Sequence, residues 1–566
     1  MTDPHSSLTT PANGLSHVRG PAQPPLQHIT IPDLLRQAVD RHGSREALVF
    51  AAAGLRLTYA ELAQKADELA AGLLELGVAK GDRVGIWSPN RCEWVLTQFA
   101  TARIGAILVT INPAYRLAEL EYALNKTGCK VLIAAERFKS SNYLGMIREL
   151  APELASAAPG QLAAARLPAL RHAVVMAPDP GPGILPFETL QAMGAGAGPA
   201  ALDALSAGLT PEEAINIQFT SGTTGLPKGA TLTHFNIVNN ARFVTSRINL
   251  TAADRLLIPV PLYHCFGMVM GVLGAVSKGA AMIFADEAFE PAAVLDTAAA
   301  ERATALYGVP TMFVAMLQEL DRAPRDISSL RTGIMAGAPC PIEIMRRVSR
   351  DMHMDEVTIC YGMTETAPVS FQSFTTDPAE KRCTTVGRVH PHLEVKAVDP
   401  EGRTVPAGER GELLVRGYSV MQGYWDDAAA TAAAATDGWM RTGDLATIDA
   451  EGFCSITGRL KDMIIRGGEN IYPREIEDFL LRHPGIGDAQ VFGVPDKTFG
   501  EQICAWVVPA PGAALTEDAV LDHCRGQIAH FKIPHYLRLV PELPMTVTGK
   551  PQKFRMQQEM IRQLEL

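Results

Sequence analysis

Apolar residues recur at two different spacings along this chain, and the alternation between them predicts its architecture. Thr58 followed by Glu61 forms a capping box, after which Leu62, Ala66, Leu69, Leu73 and Leu76 fall three or four apart and stop at Gly77, the pattern of an amphipathic helix with one buried face. RVGIWSPN from Arg83 and ILVTIN from Ile107 are short and almost continuously apolar, while EWVLTQFATARIG between them has helical spacing. That is the βαβ rhythm of a parallel sheet, so the main body is predicted to be α/β. The longest purely apolar run, Cys265 to Val276, ends at Ser277 and Lys278, short of the roughly 20 residues a membrane helix needs. It predicts a buried core helix.

Two stretches break the rhythm. From Ala151 to Gly208 the chain turns rich in Ala, Pro and Gly and reads as a linker; GAGAGP at Gly194 to Pro199 fails as a dinucleotide fingerprint, because Pro199 stands where the last glycine is required. Beyond Gly402 the turn signals DPEG, PAGERGE and DAEG separate short strands such as ELLVRG and FCSITG, predicting β-hairpins. A charged helical pattern after Arg459 then predicts a small α+β domain of about 105 residues. Residues 1–28, rich in Pro, Ser, Thr and Gly with no apolar signal core, read as a disordered tail.

Composition adds exclusions. The formal charge of −10 and the pI near 5.8 argue against a nucleic-acid footprint, which needs a concentrated basic face. Nine cysteines, none in a Cys-x-x-Cys pair, suggest neither a zinc ribbon nor a disulfide framework, and point to a reducing cytoplasm. HPH at His390 to His392 lacks neighbouring ligands and reads as a loop.

The chemistry concentrates in TSGTTGLPK, Thr220 to Lys228. INIQF before it and GATLTH after it alternate like strands, so the segment joins strand to strand. A Walker A loop would need glycine at Pro227 and Ser or Thr at Gly229, which excludes it. Glycines that admit backbone N–H groups to an anion, the hydroxyls of Thr220, Ser221, Thr223 and Thr224, and the charge of Lys228 instead make a phosphate cradle with Gly222 and Gly225. A polar surface turn would explain the Gly and Pro but not the hydroxyls or the lysine.

Together with PLYHCFGMVMG from Pro261, AGAP at Ala336 to Pro339, YGMTE at Tyr361 to Glu365, RTGD ending at Asp444, GRLKDMIIRGGENIYPREIE from Gly458 and PMTVTGK ending at Lys550, this loop resembles the adenylate-forming superfamily of acyl-CoA synthetases, luciferases and peptide-synthetase adenylation domains. The likeness covers nearly everything after residue 28, and IQFTSGTTG, YGVPTMF and GKPQKF look most like the medium-chain fatty acyl-CoA synthetase branch. The resemblance implies a large N-terminal domain over 29–459 with mixed and parallel sheets flanked by helices and a small barrel-like part, a hinge over 460–463 at Lys461, and a small mobile C-terminal domain over 464–566.

It also implies an acid-thiol ligase acting on a carboxylic acid, ATP and coenzyme A, with Mg²⁺ at Glu365 and a homodimer as an allowed assembly. Lys550, Glu365 and Thr224 are the expected catalytic residues. Tyr361, Gly362, Thr364, Gly337, Ala338 and Pro339 would meet the nucleotide, Asp444 the ribose hydroxyls, and Arg459 would donate nearby. His264, Phe266, Gly267, Met268, Tyr307, Gly308 and Val309 would line the acyl pocket, with His264 either a gate or a core histidine; Arg466, Gly467, Gly468 and Glu469 would face coenzyme A. Lys553 stands where many members carry arginine. Transfer to a carrier protein, and a dead nucleotide-binding partner, are the competing readings; the intact Lys550, Glu365, Asp444 and Arg459 oppose the second.

Overall fold

A computed structural model describes residues 10–158, 160–196, 198–220, 227–338, 340–466, 469–546 and 549–565. These divide into two compact units. The first takes in Arg19–Glu394 and Val415–Met440; the second takes in Val395–Leu414, most of the chain from Arg441 onward, and the segment around residues 10–18.

The first unit is built on two sheets. One runs Ile184–Pro186, His172–Met176, Val131–Ala135, Arg83–Trp87, Ile107–Thr110, Ala214–Thr220, Lys228–Thr233, Gly423–Tyr424 in spatial order. Its strands are parallel from the first to Ala214–Thr220, where the chain turns back antiparallel. The other sheet has nine strands, and Ala305–Gly308, Thr332–Ala336 and Glu356–Gly362 lie side by side and parallel at its centre. Ligands of such sheets bind outside the carboxyl ends of the strands, and those ends here carry Tyr307, Gly337 and Tyr361.

The predicted helix forms as Tyr59–Glu75, with Thr58 and Glu61 closing a reciprocal capping box and Leu62, Ala66, Leu69 and Leu73 buried. The apolar run also folds as expected, Phe266–Leu273 with π-type hydrogen bonding followed by the α-helix Gly274–Lys278, and it is buried throughout the first segment. No helix among the described residues is long and apolar enough to cross a membrane.

Two expectations are corrected. The segment 151–208 is not a linker: His172–Met176 is an inner strand of the eight-stranded sheet, with Val174 and Val175 fully buried, and Phe187–Met193 packs as a helix. Gly194 closes the helix Phe187–Met193, and Pro199 opens the helix Pro199–Ala207. Nor are residues 10–28 disordered. Ser16 donates its N–H to Val405 at 2.8 Å and accepts from Ala397 at 2.9 Å, and Val18 is buried, because backbone groups of a short strand are satisfied by adding to a distant edge. Further along, the carbonyls of Pro21 and Pro24 take hydrogen bonds from the backbone and the ring of His392.

In the second unit, strands through residues 395–398, 411–414, 441–448 and 454–459 form one sheet. They group with the C-terminal residues, so the compact boundary differs from the one expected at residue 459. A five-stranded sheet follows, centred on the long hairpin Ile486–Asp496 and Gly500–Pro509. Ile503, Ala505 and Val507 point into one apolar cluster with Ile476 and Leu480, whereas Cys504 and Trp506 point into another with Met556 and Met560. This is the period-two alternation of a strand buried on both faces.

Candidate active site

The phosphate-cradle segment joins strand to strand as read: Thr220 ends one antiparallel strand, Lys228 begins the next, and the two are register partners. The Thr220 hydroxyl donates to the Lys228 carbonyl at 3.4 Å. Ser221, Gly222, Thr223, Thr224 and Gly225 lie outside the described residues, as do Pro339, Gly467 and Gly468.

Glu365 lies in the short 3₁₀ turn Thr364–Thr366 and is 5% exposed. Its Oε1 accepts a hydrogen bond from the Tyr424 hydroxyl at 2.9 Å, and its carbonyl accepts from Met421 N–H at 2.9 Å. Among the described residues no lysine, arginine or histidine pairs with it. A buried carboxylate met only by a neutral donor is short of positive charge, and a hard divalent cation completes such an oxygen site. No group of three or more His, Cys, Asp or Glu gathers among the described residues, so a cation at Glu365 would draw its remaining oxygens from substrate and water, as Mg²⁺ commonly does.

Tyr424 was not legible in advance. It stands on the short strand Gly423–Tyr424, opposite Ala230 of the strand that Lys228 begins. Burial, and then the charge of Glu365, push its phenol far above the usual tyrosine range, which keeps the hydroxyl a donor. The Lys228 ammonium lies 5.1 Å from the centre of its ring, within cation–π range.

Next to this polar end lies an apolar one. The Cys265 thiol donates to Gln218 Oε1 at 3.1 Å, and Gln218 Nε2 reaches Met268 Sδ at 3.0 Å. Burial raises the thiol strongly, and the Glu365 charge adds to the rise. Phe266 packs 5.5 Å, centre to centre, from Tyr307, whose buried hydroxyl has no partner among the described residues. His264 is half-buried; its Nδ1 accepts from Phe266 N–H at 3.2 Å and its carbonyl from Gly267 at 2.9 Å and Met268 at 3.1 Å. It thus starts the buried helix and is not a core histidine. Gly308 and Val309 follow Tyr307 into the helix Pro310–Arg322.

The nucleotide-binding candidates Gly337, Ala338, Tyr361 and Gly362 come together because Thr332–Ala336 and Glu356–Gly362 are neighbouring parallel strands. Gly337 has φ +93°, a conformation that favours glycine, and a Cβ on Gly362 would meet the Pro368 carbonyl at 1.8 Å. Tyr361 is half-buried at the strand end, 6.3 Å from the Phe371 ring.

In the second unit Asp444 and Arg459 are partners across a hairpin, Arg459 Nε lying 3.2 Å from Asp444 Oδ1. The Asp444 N–H is held by Thr442 Oγ1 at 3.1 Å. Lys461 lies in the 3₁₀ turn Leu460–Asp462. Arg466 donates to Gln502 at 2.6 Å and stacks 4.5 Å over Phe499, while Glu469 opposes it across the strand pair. Lys550 is half-buried at the end of a tight turn, its N–H on Thr546 Oγ1 at 2.9 Å and its carbonyl accepting from Thr546 N–H at 2.8 Å. Lys553, which stands where many members carry arginine, gives its ammonium to buried Glu477 at 2.6 Å. His390 is buried with Nε2 on Gln372 Oε1 at 3.0 Å.

Comparison with known proteins places the chain in a family. Residues 35–425 match the AMP-binding enzyme family and residues 475–550 the AMP-binding enzyme C-terminal domain. A medium-chain acyl-CoA ligase from Danio rerio, ACSF2, designated mitochondrial, is 46% identical over 555 residues, 97% of this chain and 91% of that protein. The putative acyl-CoA synthetase YngI of Bacillus subtilis (strain 168) is 46% identical over 543 residues, 96% and 99% of the two chains. Among solved structures, the anthranilate CoA ligase AuaEII in complex with anthranoyl-AMP superposes with TM-score 0.81 at 26% identity, covering 96% of this chain and 99% of its own. The chain therefore belongs to the AMP-binding enzyme family, within the acyl-CoA synthetase superfamily that its motifs resemble.

Proposed function

We propose that this protein is an AMP-forming, medium-chain fatty acyl-CoA ligase: a carboxylate attacks the α-phosphate of ATP to give acyl-AMP and pyrophosphate, and the thiol of coenzyme A then displaces AMP to give acyl-CoA. One observation carries the reading. A polar end, with buried Glu365 at the hydroxyl of Tyr424 and the Lys228 ammonium over its ring, is joined to an apolar end of Phe266, Met268 and Tyr307 by the strand that ends at Thr220, whose Gln218 holds both the Cys265 thiol and the Met268 sulfur. That suits a substrate pair with a phosphorylated anion at one end and an aliphatic chain at the other.

Roles follow from chemistry. Lys228 and the hydroxyl-rich segment Thr220 to Gly225 hold the departing phosphates, whose developing charge is met by donors already in place. Mg²⁺, held by Glu365, would neutralise triphosphate charge. Tyr361 offers an aromatic face to adenine, with Gly337, Ala338 and Pro339 on its other side and Gly362 and Thr364 beside it. Asp444 accepts from the ribose hydroxyls while Arg459 holds its carboxylate in place. Lys550 supplies the ammonium of the adenylation step, and the segment Arg466 to Glu469 serves the coenzyme A step, with Lys461 as the hinge between the two.

The test is a panel of free acids from butanoate to palmitate, with aryl and branched acids alongside, scored for AMP release with ATP and Mg²⁺, with and without coenzyme A. AMP release that requires the thiol and peaks between hexanoate and dodecanoate is expected. Turnover independent of coenzyme A, or a preference for aryl acids, contradicts the proposal.

A further inference from the structure

Beyond the groups that touch substrate, we infer that Tyr424 is a positioning residue whose hydroxyl sets the Glu365 carboxylate for a divalent cation while its ring face seats the Lys228 ammonium for phosphate. The inference rests on the reading of Glu365 as cation ligand given above.

Tyr424 is anchored before its side chain does anything. Its N–H is held by Thr431 Oγ1 at 2.9 Å, the following Trp425 N–H by the Gly229 carbonyl at 2.7 Å, and the strand pairs Tyr424 with Ala230. At the tip of the ring the hydroxyl donates to Glu365 Oε1 at 2.9 Å, which holds that oxygen in place and leaves Oε2 to face a cation. Such outer partners orient metal-binding carboxylates and account for much of the metal affinity. Across its face lies the Lys228 ammonium, 5.1 Å from the centre. A lysine is a flexible point charge, and a ring beneath it restricts where that charge sits without neutralising it as a carboxylate would. One side chain thus relates the site's carboxylate and its lysine, which lie 137 residues apart in sequence and on different elements.

The test uses the full chain, Mn²⁺ as the probe ion, and α,β-methylene-ATP, whose α–β bridge cannot be cleaved, so that it cannot donate its adenylyl group. Free Mn²⁺ is counted by electron paramagnetic resonance. Wild type is compared with Tyr424→Phe, which keeps the ring and loses the hydroxyl, Tyr424→Leu, which loses both, and Glu365→Gln. Tyr424→Phe should weaken Mn²⁺ binding by about tenfold or more, and adding it to Glu365→Gln should cause no further loss. Without metal, the nucleotide analogue should bind Tyr424→Phe as it binds wild type, and Tyr424→Leu about threefold or more weakly.

Wild-type Mn²⁺ affinity in Tyr424→Phe, with Glu365→Gln impaired, overturns the inference while leaving the cation ligand intact. Wild-type affinity in Glu365→Gln overturns the underlying reading. If Tyr424→Phe merely loosened the fold, its loss would add to that of Glu365→Gln, and that additivity also overturns the inference. Unchanged analogue affinity in Tyr424→Leu overturns the Lys228 half.

Discussion

Glu365 of the large unit and Glu477 of the C-terminal unit are equally buried, 5% and 4% exposed, and yet are satisfied in opposite ways. Glu477, on the helix Pro473–Leu480, accepts the Lys553 ammonium at 2.6 Å and the Val491 N–H at 2.9 Å. Glu365 accepts one tyrosine hydroxyl, and among the described residues no cation. Removing a carboxylate from water costs several kcal/mol unless its charge is met. Inside the C-terminal unit the chain meets that requirement itself. In the large unit it leaves the requirement to something that arrives. The lysines repeat the contrast: Lys553 is spent on an internal pair, whereas Lys228 has only an aromatic face beside it among the described residues.

The sharpest break in this comparison is expected at Lys550, three residues from the internally paired Lys553. Lys550→Ala should slow acyl-adenylate formation about a thousandfold, since one charge at ~4 Å is worth roughly 4 kcal/mol at an effective dielectric near 20, while thiolysis of supplied acyl-adenylate stays within a few-fold. Rapid-quench assays of the separate half-reactions check this, and equal loss in both removes the division of labour. Glu477→Gln should act on stability: with the Lys553 ammonium left unpaired, unfolding free energy should fall by about 3 kcal/mol in denaturant titrations. Glu365→Gln should do the reverse. It removes an unmet buried charge, so stability should hold or rise, while pyrophosphate exchange at limiting Mg²⁺ falls about a hundredfold. A stability loss in Glu365→Gln as large as that in Glu477→Gln would erase the contrast.

The smallest effect, taken per unit of pH, is a slope in stability. His234 is fully buried, accepts from Ile31 N–H at 3.1 Å through Nδ1, and burial pulls its pKa down to about 3. Unfolded, it takes up a proton near pH 6.5, so between about 6.5 and 3 the unfolded state binds more protons. Stability contributed by neutral His234 is therefore present above that window and falls as pH drops, by at most about 1.4 kcal/mol per unit. The slope of stability against pH should flatten in His234→Gln.

What could be read in advance follows the range of the physics involved. The capping box at Thr58 and Glu61 and the apolar run from Cys265 are local patterns, and both fold as their spacing requires. The strand-to-strand placement of the phosphate-cradle segment was equally local, carried by alternation on both sides of it. Long-range pairing was not. His172–Met176 sits in an Ala- and Pro-rich stretch that looks like a linker, and becomes an inner strand because two neighbours accept its ladder. Ser16 is held by Ala397 and Val405, nearly the length of the large unit away. Tyr424 escaped for the same reason: its partners, Glu365 and Lys228, are 59 and 196 residues distant, and no periodicity in its own neighbourhood marks it.

The most direct measurement of the stepwise account is exchange of labelled pyrophosphate into ATP with octanoate and Mg²⁺ and no coenzyme A. Exchange should depend on the acid and on the metal and need no thiol, because the acyl-adenylate forms first and reverts. Exchange that begins only when coenzyme A is added would contradict it.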